Sequence, residues 1–188
     1  MYHSSRKNKE GDGAGVDGRG TVNLDARAVP AEIASDRDRK FMALALKEAK
    51  RAADLEEVPI GAVIVDGEEV VGRGFNRREI DRNPLGHAEL IAIGEAAERL
   101  GRWRLTGCTL YVTAEPCPMC AGAIVQARID RLVYGCDDPK TGATGSLYNI
   151  VQDERLNHWV EVESGVLADE AGELLRKFFR GRRREDDR

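Results

Sequence analysis

Two short stretches of this chain, His87-Ala88-Glu89 and Pro116–Cys120, constrain the fold more than any other feature. A Cys-x-x-Cys pair in a tight turn that enters a helix can place both sulfurs on one metal ion. A single histidine from elsewhere in the chain would supply a third ligand. Thiolate and imidazole ligands favour zinc, and three protein ligands with one open position are typical of a catalytic zinc site. The fold must therefore bring His87, Cys117 and Cys120 together.

Two other interpretations of the cysteine pair stay open. A structural zinc site would need a fourth ligand, and the candidates are Cys108, Cys136, His158 and His3. None of these residues is spaced as a second ligand pair. Cys108 and Cys136 both lie in or beside apolar, strand-like runs, where small buried side chains are expected. A redox pair would need a βαβ context, and it leaves the His-x-Glu motif unexplained.

The spacing H-x-E…P-C-x-x-C is the signature of zinc-dependent deaminases of bases and nucleosides. In such an enzyme His87, Cys117 and Cys120 would bind the metal, and Glu89 would be the general acid and base. Residues two apart on a helix do not share a face. His87 can therefore reach the metal while Glu89 projects beside it, toward the open coordination position.

Composition limits the class of protein. The 188 residues favour one main domain, and a formal net charge of −4 argues against a general nucleic-acid binder. Four cysteines, two of them in Cys-x-x-Cys, are not a secreted disulfide framework and favour a reducing cytoplasm. No apolar run approaches the roughly 18 residues of a membrane span.

Residues 1–34 are polar, glycine-rich and without periodicity, so we expect disorder there. We expect a catalytic domain over 35–184 and a polar tail over 185–188.

Hydrophobic periodicity predicts an alternation of helices and strands. The predicted helices cover 35–53, 88–100, 121–128 and 168–179, and the predicted strands cover 60–65, 69–74, 108–113, 131–135 and 159–163. Asp66-Gly67 predicts a hairpin between the first two strands, and Gly61 indicates close approach of another backbone or a ligand. A helix separates the third and fourth strands, so these two should be parallel. The expected fold class is α/β, a three-layer α/β/α sandwich with a mixed central sheet.

From about Arg39 to Arg183 the chain resembles the bacterial tRNA adenosine deaminase family, which has the cytidine deaminase-like fold. The segments that carry the resemblance are 58–62, 74–76, 87–89, 113–123, 138–146, 156–158 and 178–183. The resemblance implies a homodimer with one zinc ion per subunit, which binds a tRNA anticodon stem-loop and converts the wobble adenosine of an arginine tRNA to inosine. Two features depart from the family pattern, namely the long N-terminal extension and the sequence Asn-Pro-Leu-Gly over 83–86.

The resemblance also implies substrate contacts. Asn76 matches the position that hydrogen-bonds the flipped base, and Asp138 and Lys140 match loop residues that meet the neighbouring nucleotides. Apolar packing against the base would come from Pro59, Ala88 and Pro116. Plainer interpretations remain, since an asparagine after a strand often stabilises a turn, and Asp138 and Lys140 can be ordinary surface residues.

The C-terminal segment carries a local nucleic-acid signal despite the acidic average. Basic residues surround Phe178 and Phe179, namely Arg176, Lys177, Arg180, Arg182, Arg183 and Arg184. Positive charge beside aromatic rings fits phosphate contact and base stacking, and Phe179, Arg182 and Arg183 are the expected contacts. Alternatively, the phenylalanines belong to the core and the arginines form a solvated helix end favoured by the helix dipole.

Three hypotheses of function follow. The first is an adenosine deaminase of tRNA. The second is a deaminase of free cytosine, cytidine or guanine, which would have no need of a basic aromatic tail. The third is a zinc-stabilised partner subunit without chemistry of its own, which would be expected to lack the carboxylate that Glu89 provides.

Overall fold

Five strands form one mixed sheet between two helical layers in the computed structural model, which describes residues 35–186 and the side chains up to Arg183. The helices are α1 (Asp36–Asp54), α2 (Ala88–Leu100), α3 (Pro118–Ala127) and α4 (Ala168–Asp186), and the strands are β1 (Gly61–Asp66), β2 (Glu69–Phe75), β3 (Cys108–Ala114), β4 (Arg131–Cys136) and β5 (Glu161–Glu163). The predicted disorder of residues 1–34 and the last two residues of the predicted polar tail lie outside the described residues.

The order of the strands is β2-β1-β3-β4-β5. β1 pairs antiparallel with β2 and β3, whereas β3 with β4 and β4 with β5 are parallel. The predicted hairpin, the parallel pairing around α3 and the mixed α/β/α sandwich are therefore confirmed. Across residues 35–186, no helix combines the length and the apolar character that a bilayer span requires.

Strand alternation divides the core between the two faces of the sheet. On one face, Val63, Tyr111 and Val133 pack against Phe41 and the rest of the apolar stripe of α1. The opposite face meets α2 and α3, and its buried strand residues include Ala62, Ile64, Leu110, Val112 and Leu132. Successive strand residues point to opposite faces, so β1 and β3 are buried on both sides.

Three predicted elements have a boundary that differs by two residues or more from the observed one. α3 begins three residues earlier than predicted, at Pro118, because a proline is favoured in the first helical turn. α4 continues beyond the predicted end at Phe179, and ion pairs of Arg176 and Arg180 with Glu173 support its exposed face. The predicted edge strand is present at the sheet edge but is shorter, since β5 begins at Glu161.

Two glycines in the strands, Gly61 and Gly74, let the helices pack directly against the backbone of the sheet. A Cβ at Gly61 would overlap the backbone of α1 at Ala45, so the predicted close approach is that of a helix. A Cβ at Gly74 would overlap the carbonyl oxygen of Ala88. The first turn of α2 is thus seated on β2 at the point where His87-Ala88-Glu89 begins.

We expect Gly74→Ala to displace the start of α2 and to lower the free energy of unfolding by about 1–3 kcal/mol, the usual cost of overpacking. Metal affinity should fall as well, because His87 immediately precedes the displaced turn. Gly94→Ala is the matched control, since Gly94 lies within α2 and a Cβ there meets nothing. Alanine is the better helix former by about 1 kcal/mol, so this variant should be more stable. Denaturant unfolding of both variants measures the difference, and equal stabilities would contradict the packing argument.

Candidate active site

Two helix N-termini hold the predicted metal ligands. His87 is the N-cap residue of α2 and Cys117 is the N-cap residue of α3, and neither side chain makes a capping hydrogen bond. Cys120 follows within the first turn of α3 and is buried. Helix N-termini favour negative charge, so this location stabilises thiolates. Because His87 and Cys117 make no capping hydrogen bond, their side chains remain available to a cation.

The spacing of the three side chains fits a four-coordinate metal. Nδ1 of His87 lies 3.7 Å from Sγ of Cys117 and 3.5 Å from Sγ of Cys120. Tetrahedral bonds of about 2.3 Å to sulfur and 2.0 Å to nitrogen would separate such atoms by about 3.5 Å. Within the described part of the chain, the ligand group consists of these three residues, and no fourth side chain completes it.

Within residues 35–186, none of the candidate fourth ligands of a structural zinc site joins the ligand group. Cys108 is buried in β3, and Cys136 donates its thiol hydrogen to the carbonyl oxygen of Thr113 at 3.6 Å. The imidazole Nε2 of His158 lies 2.7 Å from the carbonyl oxygen of Ile129. The remaining candidate, His3, lies outside the described residues.

The pKa values of the two thiols in the ligand group are shifted in opposite directions. The hydrogen bond from Cys120, together with the nearby His87, lowers the pKa of Cys117 to about 4. The pKa of Cys120 is raised, first because its thiol hydrogen is donated to Cys117 and then because it is buried. Metal ligands must be deprotonated to bind, so a cation among these atoms would displace the proton of Cys120.

Glu89 lies beside the ligand group in the first turn of α2 and is 4% exposed. Burial raises the pKa of its carboxyl, and the charge of His87 opposes part of that effect. A cavity of about 70 Å³ adjoins this carboxyl, and it is lined by Val58, Ile60, Asn76, Arg78, His87, Ala88 and Glu89. A carboxyl beside a cavity, with its pKa raised by burial, is suited both to accept and to donate a proton.

Asn76 is held at the cavity by two hydrogen bonds. Its backbone N–H donates to the carbonyl oxygen of Ile60 at 2.9 Å, and its Nδ2 donates to Oε2 of Glu57 at 2.9 Å. Its side chain is therefore bound to a buried carboxylate and not to the backbone of a turn. The following loop is closed by the N–H of Arg77, which donates to the carbonyl oxygen of Gly86 at 2.9 Å, immediately before His87.

Other predicted contacts lie around this centre. Ala88 lines the cavity. Pro59, between the lining residues Val58 and Ile60, and Pro116, directly before Cys117, are buried and are absent from its lining. Asp138 accepts hydrogen bonds from the backbone N–H groups of Lys140 and Thr141 at 2.9 and 3.2 Å and from the hydroxyl of Thr141. Burial raises the pKa of its carboxyl, but the bond from the Thr141 hydroxyl and the two backbone bonds together lower it. Asp138 thus shapes its own loop, and Lys140 is exposed.

Glu115 organises that loop and was not predicted from the sequence. Its buried carboxylate accepts from the backbone N–H groups of Asp138, Thr144 and Ser146 at 2.9–3.0 Å. Glu115 also directly follows β3 and lies two residues before Cys117. Glu115 therefore links the loop, which its carboxylate binds, to the turn that follows it in sequence and carries Cys117. A single glutamate before Pro-Cys belongs to no periodic pattern, so the sequence did not indicate this role.

The basic end of α4 lies against the end of α1. Arg182 donates to the carbonyl oxygen of Glu56 at 2.8 Å and lies over the ring of Phe178, 5.2 Å from its centroid. Phe179 is 47% exposed, so it is not a core residue, whereas Phe178 is half-buried. Arg183 is exposed. Arg182 therefore binds the segment that leads, two residues after Glu56, to Val58 of the cavity lining.

Comparison with known proteins places the chain among deaminases. A family model described as MafB19-like deaminase matches residues 36–183. The tRNA-specific adenosine deaminase of Bacillus subtilis (strain 168) is 51% identical over 148 residues, which are 79% of this chain and 92% of that protein.

Two solved structures are also similar. One, from a study of A-to-I editing by tRNA:A34 deaminases at the wobble position of transfer RNA, has a TM-score of 0.70 at 46% identity and covers 72% of this chain and 99% of its own. A guanine deaminase from Nitrosomonas europaea has a TM-score of 0.66 at 23% identity, over 74% of this chain and 83% of its own, and it shares the fold.

Proposed function

This chain belongs to the family of tRNA-specific adenosine deaminases, and we propose that it hydrolyses the wobble adenosine of a tRNA anticodon to inosine, with release of ammonia. The observation that supports this most strongly is the convergence of Glu89 with His87, Cys117 and Cys120 beside one cavity. A partner subunit without chemistry would not need that buried carboxylate. The catalytic domain is assigned to residues 35–184, with an arginine tRNA as the substrate that the family resemblance implies.

Zinc is the proposed metal, with one ion per subunit. The donor set of one imidazole and two thiolates is characteristic of zinc, and the separations of the three ligand atoms fit its tetrahedral geometry. When bound, the ion would supply a water molecule whose pKa is lowered from about 15.7 toward 7, and therefore a nucleophile at neutral pH.

Glu89 carries the protons of the reaction. Its carboxylate accepts one proton from the attacking water and donates it to N1 of adenine while the water oxygen bonds to C6. It then takes up the second proton and delivers it to the amino group, so that the C6–N bond breaks and ammonia leaves. The buried position of Glu89, which raises its pKa, suits a group that must hold a proton between these two transfers.

At about 70 Å³ the cavity is far too small for a stem-loop, so we place only the extruded base of the tRNA against it. We assign Asn76 to a hydrogen bond with the flipped base, Ala88, Pro59 and Pro116 to apolar packing around it, and Asp138 and Lys140 to the adjacent nucleotides. Such contacts offset the stacking free energy that an extruded base loses. The remaining affinity for the tRNA must come from contacts outside the cavity.

We assign that affinity to Phe179, Arg182 and Arg183 on α4. Replacing both arginines, as Arg182→Gln with Arg183→Gln, should weaken tRNA binding and reduce the slope of log affinity against log salt by about 0.7–0.9 for each lost phosphate contact. Arg99→Gln is the matched control, because Arg99 is exposed in the last turn of α2, at the end of that helix opposite to the cavity. Titration of tRNA at several salt concentrations provides the slopes, and identical slopes for all proteins would remove the two arginines from the interface.

We further propose a homodimer that acts in the cytoplasm. Large apolar side chains are exposed over residues 147–159, namely Leu147, Tyr148, Leu156 and Trp159, and such surfaces often mark contacts between proteins. A mass measurement on the metal-loaded protein tests the dimer, since a monomer at micromolar concentration would contradict it.

One assay tests the reaction itself. The metal-loaded protein is incubated with a tRNA that has adenosine at the wobble position, and separately with free adenosine, cytidine and guanine. We expect inosine and ammonia from the tRNA alone. Conversion of a free base or nucleoside with no change in the tRNA would favour the second hypothesis, and no conversion of any substrate would favour the partner subunit.

A further inference from the structure

Glu57 is a buried carboxylate whose two oxygens are both engaged by neutral N–H donors. It is 1% exposed. Oε2 accepts from Nδ2 of Asn76 at 2.9 Å, and Oε1 accepts from the backbone N–H of Ile80 at 2.8 Å. Burying a carboxylate is costly unless its hydrogen bonds are satisfied, and here both bonds are made to the wall of the substrate cavity and to its adjoining loop.

This arrangement determines which way the amide of Asn76 faces. An ionised carboxylate only accepts hydrogen bonds, whereas an asparagine amide has an oxygen that accepts and an NH2 group that donates. Nδ2 of Asn76 must therefore point at Glu57, because Oδ1 in the same place would face an acceptor. Oδ1 and the second N–H of Nδ2 are then the groups that remain for a ligand.

The position of Glu57 is itself fixed by the end of α1. Its backbone N–H donates to the carbonyl oxygen of Ala52 at 2.9 Å, and the preceding residue, Glu56, has a left-handed backbone with φ of 60°. The bond to Ile80 ties the loop before His87 to the same carboxylate. One side chain therefore links the base-contacting residue to the loop that leads to a metal ligand.

We infer that Glu57 is a positioning residue, which sets the direction of the Asn76 amide and thereby the hydrogen-bond pattern that the cavity offers to the target base. The inference rests on the proposed function, in which Asn76 contacts that base. Glu57 does not itself line the cavity, so it acts through Asn76.

Glu57→Gln tests this role with little change in volume. The new amide can accept from only one of the two donors. If it keeps the bond to the backbone of Ile80, it presents its NH2 group to Asn76, and the Asn76 amide must turn over. We expect the single-turnover rate of tRNA deamination to fall about 10- to 100-fold, while the affinity for tRNA changes less than about twofold, because that affinity comes largely from phosphate contacts. Glu79→Gln is the control, since Glu79 is exposed in the same loop.

A double-variant cycle separates positioning from general stability. If Glu57 acts through Asn76, Glu57→Gln should slow the Asn76→Ala protein by less than about twofold, since coupled residues are not additive. A full 10- to 100-fold loss in that background would overturn the inference.

A spectroscopic readout is independent of turnover. In the ¹H–¹⁵N spectrum of the metal-loaded protein, one side-chain proton of Asn76 should be shifted downfield by the carboxylate, and Glu57→Gln should abolish this shift. If the variant does not fold, the spectrum of the unaltered protein decides, because an unshifted Asn76 amide contradicts the inference. A protein that deaminates no tRNA but shows the shifted signal would contradict the proposed function and leave the hydrogen bond in place.

Discussion

Replacing Glu89 with alanine is expected to lower the rate of tRNA adenosine deamination at least about 10²- to 10⁴-fold, the contribution of a positioned proton donor and acceptor. The metal should stay bound, because Glu89 does not belong to the ligand group of His87, Cys117 and Cys120. Single-turnover kinetics and metal analysis on the same preparation measure both quantities.

Two further variants make the interpretation of Glu89→Ala specific. Glu89→Gln has nearly the same volume but cannot carry a proton, so its rate should be as low as that of the alanine variant. Glu98→Ala removes an exposed carboxylate from the same helix and should leave the rate unchanged. Loss of the metal from Glu89→Ala would instead identify Glu89 as a ligand, and an undiminished rate would remove it from the chemistry.

Cys120→Ala should abolish metal binding and turnover together. Two ligands would remain, and a tetrahedral site with three protein ligands loses most of its affinity when a thiolate is missing. Since a metal that binds the folded protein stabilises it by mass action, the variant should also unfold at a lower temperature, and added zinc should raise that temperature less than in the unaltered protein.

Cys136→Ala is the control for the loss of a thiol near the site. Cys136 is the last residue of β4, and its thiol bonds only the carbonyl oxygen of Thr113. This variant should keep its metal and its activity. Thermal unfolding with and without a chelator distinguishes the two cysteine variants, and retention of the metal by Cys120→Ala would refute the proposed ligand set.

The pairing of Cys117 with Cys120 could be predicted from the sequence because its signals are local, whereas distant His87 was identified through the His-x-Glu motif. Cys117 and Cys120 are three residues apart, and Pro118 marks the helix that presents them. The continuous apolar runs of β1 and β3 and the Asp66-Gly67 turn are equally local. Periodicity and turn chemistry therefore predicted the layers and the parallel crossover.

The roles of the buried carboxylates of Glu57 and Glu115 could not be predicted from the sequence, because their hydrogen-bond partners are distant in sequence. Glu57 binds Asn76 and Ile80, and Glu115 binds backbone groups of the loop that begins at Asp138. On sequence alone, each is one glutamate among many charged residues, with nothing to indicate burial. Their roles depend on tertiary packing, which brings a side chain to backbone groups some 20 to 30 residues away.

The hydrogen bond between Arg77 and Gly86 has an evolutionary consequence. It joins the two ends of the loop directly before His87, so the residues between Ile80, which is held by Glu57, and Gly86 can change in number while His87 keeps its position. Chain-closure entropy rises by only about 0.6 kcal/mol for each doubling of loop length. Insertions and exchanges in this segment, including the unusual sequence at 83–86, thus provide a route by which relatives could diversify what they recognise around a shared reaction centre.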